Sequence, residues 1–348
     1  MTGATRTIET MSVDTVERLE TADALVREGH LTEAIDLLTD AVRAAEAYDL
    51  ERRLIEIRHT ACPRTPIDEA PAAWPPPVPD LFEGQDVPEI DRAELTSELL
   101  SSALLHHGSL LVRNVLDPDT AALIRDDTDR ALEAAAARRA APTPKPTSSW
   151  FEPYDPPGSD LAVARAWQVD SGSVSIADAP RVAVHLFDAL HHTGIVPVIS
   201  EHFGEPAVLT GRKTIVRRVP HDSHFEWHQD GQFLGDDLRV VNAWIPVTPC
   251  GTDAPGLAIV PRRLDSILAT GGDGLAFDWT VTPDNVEEFT GGAPVVFPEF
   301  DAGDALFFDD WLLHATGTRP GMTADRYGIE AWFFASSHAV DRWLPIQV

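Results

Sequence analysis

An α+β chain, helical first and ending in a double-sheet jelly roll, is the fold that these 348 residues predict. Three observations carry it. Apolar residues recur at helical spacing in the early segments. After Gly211 the grammar changes to short runs rich in Val, Ile, Phe and Trp, punctuated by Gly, Pro and Asp. Helices gathered ahead of strands are the pattern of an α+β domain built on two sheets.

From Val13 to His59 the chain reads as helices, with Leu31, Ala34, Ile35, Leu38, Val42 and Ala45 on one helical face and Gly29 where a helix-ending residue of positive φ is wanted. The unit 1–62 is therefore expected to be a helical hairpin. It resembles half of a tetratricopeptide unit, and a solenoid needs at least about three such repeats. Two readings stay open, a hairpin that docks a partner protein and a hairpin packed on the main domain. Residues 63–88 are dense in proline around Pro75-Pro76-Pro77 and read as an extended linker. The main domain is expected to span 89–348. It begins with a helix capped by Asp91 and ending before Gly108, then a strand from Ser109 to Val115. A helix opened by Asp117-Pro118 runs to about Arg139. The stretch 141–158, with Trp150, Phe151 and Tyr154, reads as either a lid or a surface loop. Asp178-Ala179-Pro180 opens another helix, whose first part Gly194 ends. The eight expected strands are Lys213–Val219, His224–His228, Arg239–Val247, Leu257–Val260, Pro294–Phe297, Ala305–Phe308, Trp311–Thr316 and Tyr327–Phe334, within a core of about 211–336. The gap from Asp265 to Gly292 is long enough to be a functional cover.

Composition narrows the function. A net charge of −29 repels phosphate backbones and anionic membranes, so neither nucleic acid nor membrane is an expected partner. Arg212, Lys213, Arg217 and Arg218 form one local basic cluster, read either as a patch for an anion or as alternating solvated positions on a strand. Two cysteines, Cys62 and Cys250, make neither a disulfide framework nor a zinc cluster and suggest a reducing compartment. With no visible signal peptide or apolar run of ~18 residues, a cytoplasmic location is expected.

The chemistry centres on Phe225-Glu226-Trp227-His228-Gln229-Asp230-Gly231. On a strand, His228 and Asp230 share a face and supply two thirds of a 2-His-1-carboxylate iron site. The pair alone is weak: 13 His and 56 acidic residues give about two His-x-acid pairs by chance. His224 and Glu226 form a second pair on the same face. His314 is the candidate third ligand, read against the ordinary fate of a lone core histidine. A facial triad leaves open positions that a keto acid such as 2-oxoglutarate can occupy, and its far carboxylate then needs a buried cation. Arg326, opening the last strand, suits that task because its planar fork matches a carboxylate. Thr316 would add a hydroxyl, and Arg319 is the rival arginine.

Five stretches then carry a resemblance: Trp227–Gly231, Asn242–Pro246, Gly256–Pro261, Gly303-Asp304 with His314, and Arg326–Phe334. Together they resemble the phytanoyl-CoA dioxygenase family of iron(II)/2-oxoglutarate oxygenases, from about Glu83 onward and excluding the N-terminal helices. The resemblance implies a cupin-like double-stranded β-helix, iron held by His228, Asp230 and His314, and 2-oxoglutarate held by Arg326. Phe225 and Thr316 match cosubstrate-binding positions of some members. Arg262-Arg263-Leu264 stands where many members have Gly-Ser-His, which puts local substrate contacts in doubt. Members that halogenate lack the carboxylate ligand, so Asp230 implies hydroxylation of an unactivated C–H bond, with molecular oxygen consumed and succinate and CO2 released. The expected substrate is a small molecule of specialised metabolism. Desaturation, epimerisation or ring formation remain alternatives, as does an adaptor with a vestigial barrel.

Overall fold

The computed structural model describes residues 12–348 except 71–73, 144, 146, 156–160, 225, 235–237, 272–277 and 291–293. Three helices come first, α1 (Val13–Glu28), α2 (Leu31–Ala44) and α3 (Tyr48–Thr60). Gly29, at φ 84°, closes α1 with a Schellman pair of bonds from the amides of Gly29 and His30, and so turns the chain into α2. The expected hairpin is thus α1–α2, and α3 follows it. Ala34, Leu38, Val42, Leu54 and Ile57 close a small core of their own, which reaches Val184 of the main domain.

The main domain continues with β1 (Glu89–Asp91), α4 (Ser97–His107), β2 (Ser109–Arg113), α5 (Pro118–Ala140), α6 (Ala162–Asp170), β3 (Ser173–Ser175), α7 (Pro180–Thr193) and α8 (Ile195–Phe203). Then come β4 (Ala207–Thr210), β5 (Ile215–Val219), the single turn α9 (Gly231–Leu234), β6 (Val240–Pro246), β7 (Gly256–Ile259), α10 (Pro283–Thr290), β8 (Ala305–Phe308), β9 (His314–Gly317), β10 (Arg326–Ala335) and β11 (Pro345–Ile346). The large sheet runs β1-β2-β8-β6-β10-β4-β11, with β5 joining β10 to β3; β7 and β9 pair in a second sheet. Side chains alternate along β10 with period two. Ile329, Ala331, Phe333 and Ala335 face the helices, packed with Leu104 of α4, Ile124 of α5, Leu186 of α7 and Phe203 of α8. Trp332 and Phe334 face the second sheet and meet Leu257 and Ile259. The two sheets therefore form the walls of a jelly roll, and helices cover one of them.

Several local expectations change. Asp91 caps a 3-10 turn over Arg92–Glu94 with a full capping box, and Thr96 caps α4, because the chain bends once more before the α-helix begins. Among the described residues of the expected strand His224–His228, Trp227 and His228 form single bridges, to Val281 and His314, before the chain turns into α9. Val296 likewise touches Ile259 through one bridge, and β9 starts only at His314 because the Asp309 carboxylate accepts from the Trp311 amide and holds a turn there. Strands β3, β4 and β11 extend the large sheet outside the expected runs. Of the stretch 141–158, Phe151 is buried in the main core and Trp150 packs against it; none of its aromatic residues lines the cavity described below. Among the described residues, no single helix is long and apolar enough to cross a membrane.

Candidate metal centre

A reciprocal antiparallel pair of bonds, His228 N–H to His314 O at 2.9 Å and the reverse at 3.0 Å, joins two segments distant in sequence. Their imidazoles consequently share a face, with ring centroids 4.3 Å apart. Gln229, pointing the other way, anchors the turn: its amide donates to Ser266 O and Trp311 O and accepts from the Leu268 amide. Asp230 then emerges beside the two rings, and Gly231 follows because space is short. A Cβ on Gly231 would meet Ile267 Cδ1 at 2.6 Å and Asp310 Oδ2 at 3.0 Å.

One nitrogen of each histidine and one carboxylate oxygen of Asp230 all lie within 4.8 Å of one another. His228 Nε2 is 3.7 Å from Asp230 Oδ1, and His314 Nε2 is 3.8 Å from Oδ2. These gaps are too long for hydrogen bonds yet fit two metal bonds of ~2.0–2.2 Å each. Each Nδ1 faces a backbone carbonyl, that of Glu226 at 2.9 Å and that of Leu312 at 3.1 Å. A carbonyl only accepts, so Nδ1 carries the proton and Nε2 keeps its lone pair for a metal. Burial pushes the His228 imidazole down to about 4 and lowers His314, so both rings are neutral at ordinary pH. Burial also pushes Asp230 up to about 6, a carboxylate short of a cation. Two neutral nitrogen donors and one carboxylate in this arrangement fit a divalent iron ion.

The cluster borders a cavity of about 270 Å³ between the two sheets. Arg326 and Thr316 line it too. Arg326 is 1% exposed; its Nη1 donates to Pro255 O at 3.2 Å and Gly256 O at 2.9 Å, and its guanidinium lies 4.9 Å from the Trp244 ring centroid. Burial lowers its pKa to about 10, which still leaves it charged at neutral pH. Its Nε is buried without a hydrogen-bond partner, and among the described residues no carboxylate pairs with it. A buried guanidinium in that state suits a bidentate carboxylate ligand.

The rival residues lie elsewhere. His224 is exposed, and the Glu226 carboxylate accepts from the Thr280 hydroxyl at 2.6 Å. Arg319 is exposed, donates to Gly251 O and packs over Phe297. Phe225 lies outside the described residues. Arg263, in the segment that departs from the family pattern, pairs with Asp309 at 2.5 Å and stacks on Trp311. His106 and His107 bond to Val78 O and the Asp80 carboxylate, fastening the proline-rich segment.

Some cavity residues carried too little sequence signal. The basic cluster splits by face: Arg212 donates to Tyr154 O and exposed Arg218 pairs with Asp325, whereas Lys213 and Arg217 line the cavity. Arg217 donates to Glu330 at 2.7 Å. Burial pushes the Glu330 carboxyl up, but Arg217 outweighs it and holds the group below its ordinary value. Alternation along β5 was the available signal for Arg217. Trp167, Phe233 and Trp279 come from separate segments, and nothing in the sequence pointed to them jointly.

The sequence profile of the phytanoyl-CoA dioxygenase (PhyH) family matches residues 104–321. No curated protein sequence matches the chain. Among solved structures, AviO1 from Streptomyces viridochromogenes Tue57 is 18% identical with a TM-score of 0.44, over 68% of this chain and 94% of that one. EctD from S. alaskensis, solved with 2-oxoglutarate and 5-hydroxyectoine, is 15% identical with a TM-score of 0.49, over 69% and 76%. The non-heme alpha ketoglutarate dependent carbocyclase SnoK from nogalamycin biosynthesis is 15% identical with a TM-score of 0.48, over 71% and 87%.

Proposed function

The chain belongs to the phytanoyl-CoA dioxygenase family, and from that premise we propose that it is an iron(II)- and 2-oxoglutarate-dependent dioxygenase that hydroxylates a small molecule. His228, Asp230 and His314 hold the iron, and Arg326 holds the far carboxylate of 2-oxoglutarate with help from the Thr316 hydroxyl. The observation that carries this reading is the convergence of the triad and an unpaired buried arginine on one cavity. When bound, iron(II) and 2-oxoglutarate supply the oxidising power of molecular oxygen, with succinate and CO2 released.

The chain's own residues do the rest. Carbonyl bonds fix the two imidazoles in the tautomer that offers Nε2. Halogenating members of the family lack this carboxylate, so with Asp230 present hydroxylation is the favoured outcome over halogenation. Phe308 packs on the His314 ring and Trp279 on the His228 ring, at centroid distances of 5.0 and 5.2 Å, and they shield the rings from solvent on those sides. In so shielded a site the charge on Arg326 is weakly screened and its fork sets the orientation of the keto acid.

The test is anaerobic titration of iron(II) and then 2-oxoglutarate into wild type, Asp230→Ala and Arg326→Ala. Asp230→Ala should lose iron, and Arg326→Ala should keep iron but lose the keto acid. Retention of both ligands by both variants would sink the reading.

A further inference from the structure

We infer that the end of the cavity opposite Arg326 is a receptor for an anionic substrate, in which Lys213 binds a carboxylate attached to a planar apolar body. This rests on the dioxygenase reading, because it takes the Arg326 end as filled by 2-oxoglutarate.

The sheet registers separate the two ends. Arg326 pairs with Val219 at the start of β10, whereas the neighbour of Lys213, Thr214, accepts through its hydroxyl from the Trp332 amide. Trp332 lies six residues further along β10, or roughly 20 Å of strand. On the facing sheet, Arg326 bonds to Gly256 O, Gly256 pairs with Gly317, and Thr316 is the next residue. His314 is two residues further from that end. Phe233 lies beyond it, its ring centroid 6.4 Å from that of His228 and 4.3 Å from the Lys213 ammonium. The cavity therefore runs from Arg326 and Thr316, past the triad, to Phe233 and Lys213.

Aromatic rings hold Lys213 at that end. Its ammonium sits over the rings of Phe233 and Trp343, at 4.3 and 4.6 Å, and among the described residues no carboxylate comes within 4.0 Å. Ring faces offset a desolvated ammonium only in part. Burial correspondingly lowers the lysine to about 8. Charge balance points the same way. The iron dication and the 2-oxoglutarate dianion cancel, and the described lining residues then set Lys213, Arg217 and Arg326 against Asp230 and Glu330. One positive charge is left over in the cavity of a chain whose net charge is −29. Pair by pair, Glu330 matches Arg217, one carboxylate of 2-oxoglutarate matches Arg326, and the other together with Asp230 matches the iron, so the excess belongs to Lys213. Phe233 beside it, with Trp279 edge-on to Phe233 at 5.7 Å, supplies flat apolar walls.

The experiment uses the full chain loaded anaerobically with iron(II) and 2-oxoglutarate, and calorimetric titration with 3-phenylpropanoate and its neutral amide. Wild type should bind the acid at least about tenfold more tightly than the amide, the scale of one charge-assisted bond. Lys213→Met should erase that preference and Lys213→Arg should keep part of it, while 2-oxoglutarate affinity changes by less than about threefold on that same scale. No preference in wild type, no acid binding at millimolar concentration, or a preference that survives Lys213→Met overturns the proposal. A tenfold loss of 2-oxoglutarate affinity in Lys213→Met with the acid preference intact assigns the lysine to the cosubstrate, and overturns it as well. Failure of wild type to take up iron(II) and 2-oxoglutarate is a separate result, which removes the dioxygenase reading itself.

Discussion

Asp230 is the residue on which the proposed metal centre depends most. It is the sole carboxylate of the triad, and it approaches both imidazole nitrogens. His228→Ala, Asp230→Ala and His314→Ala should each abolish iron uptake, measured as bound iron per chain, while His224→Ala retains it. Iron loss confined to the His224 variant would mean that the other pair is the ligand pair. The same groups set a pH dependence. Metal binding needs the carboxylate deprotonated and the imidazoles neutral. Asp230 is raised to about 6 and His228 lowered to about 4. Above the higher value no proton competes, so affinity is level. It falls as pH drops through about 6, and more steeply below about 4. Affinity unchanged down to pH about 5 would speak against Asp230 as a ligand. The role proposed for Arg326 concerns a different equilibrium. Arg326→Ala should weaken 2-oxoglutarate binding by at least one to two decades, from about 1.5–3 kcal/mol per charge-assisted bond. Arg326→Lys should be impaired too, since it keeps the charge and loses the fork. Arg319→Ala should bind normally.

At the scale of elements, the pair β7–β9 sets the end of the cavity proposed for the cosubstrate. Gly256 and Gly317 pair there, each crowded by backbone: Gly317 by Leu257 of the facing strand, and Gly256 by Gly251 and Pro298. A Cβ on Gly317 would lie 2.8 Å from the carbonyl carbon of Leu257 and 2.9 Å from its oxygen. Backbone cannot swing aside as a side-chain tip can, so Gly317→Ala must part the strands. The Gly256 carbonyl that receives Arg326, and Thr316 itself, then shift. The expected outcome is a larger loss in 2-oxoglutarate affinity than in iron affinity, read by titrating both. Equal losses would show that the whole domain has loosened. Strand β10 serves two layers at once: its odd-numbered residues from Ile329 hold the helices, and Arg326, Glu330 and Trp332 furnish the cavity.

In the whole molecule, the N-terminal helices brace the catalytic domain through α3. Ile55 belongs to the main core, and Arg52 donates to Ala177 O at 2.7 Å and Glu152 O at 3.0 Å. Arg58 and His59 bond to the carbonyls of Gln347 and Pro345, at 2.9 and 2.7 Å. Those bonds hold β11 against β4, next to Trp343, whose ring lies beneath Lys213. Every proposed ligand follows Gly211, which taken alone would make residues 1–60 dispensable for iron. The packing of α3 argues for two steps instead. Removing 1–45 should leave the thermal midpoint of the remainder within a few degrees, whereas removing 1–60 should lower it markedly. Ile55→Ala alone should cost about 2–4 kcal/mol in denaturant unfolding. A midpoint unchanged by the longer deletion would refute the bracing role.

The sequence by itself determined the helices that cap locally and the main β-runs, and it singled out His228, Asp230, His314 and Arg326 as candidates. Those features have local causes. Gly29 and Asp117-Pro118 terminate or start helices through their own backbone preferences. Ala305–Phe308 has strand composition along its full length, and the motif stretches carry their chemistry within a few residues. Only the tertiary structure decided what those residues surround. The bridge between His228 and His314 spans 86 positions, and no periodicity reports such a contact. The same holds for the faces of the basic cluster, which turned Lys213 and Arg217 inward and Arg218 outward. It holds as well for the use of α3 as a brace on the C-terminal strand. Local propensity is a sum over neighbours in the chain, whereas a cavity is defined by groups that become neighbours only after the sheets close.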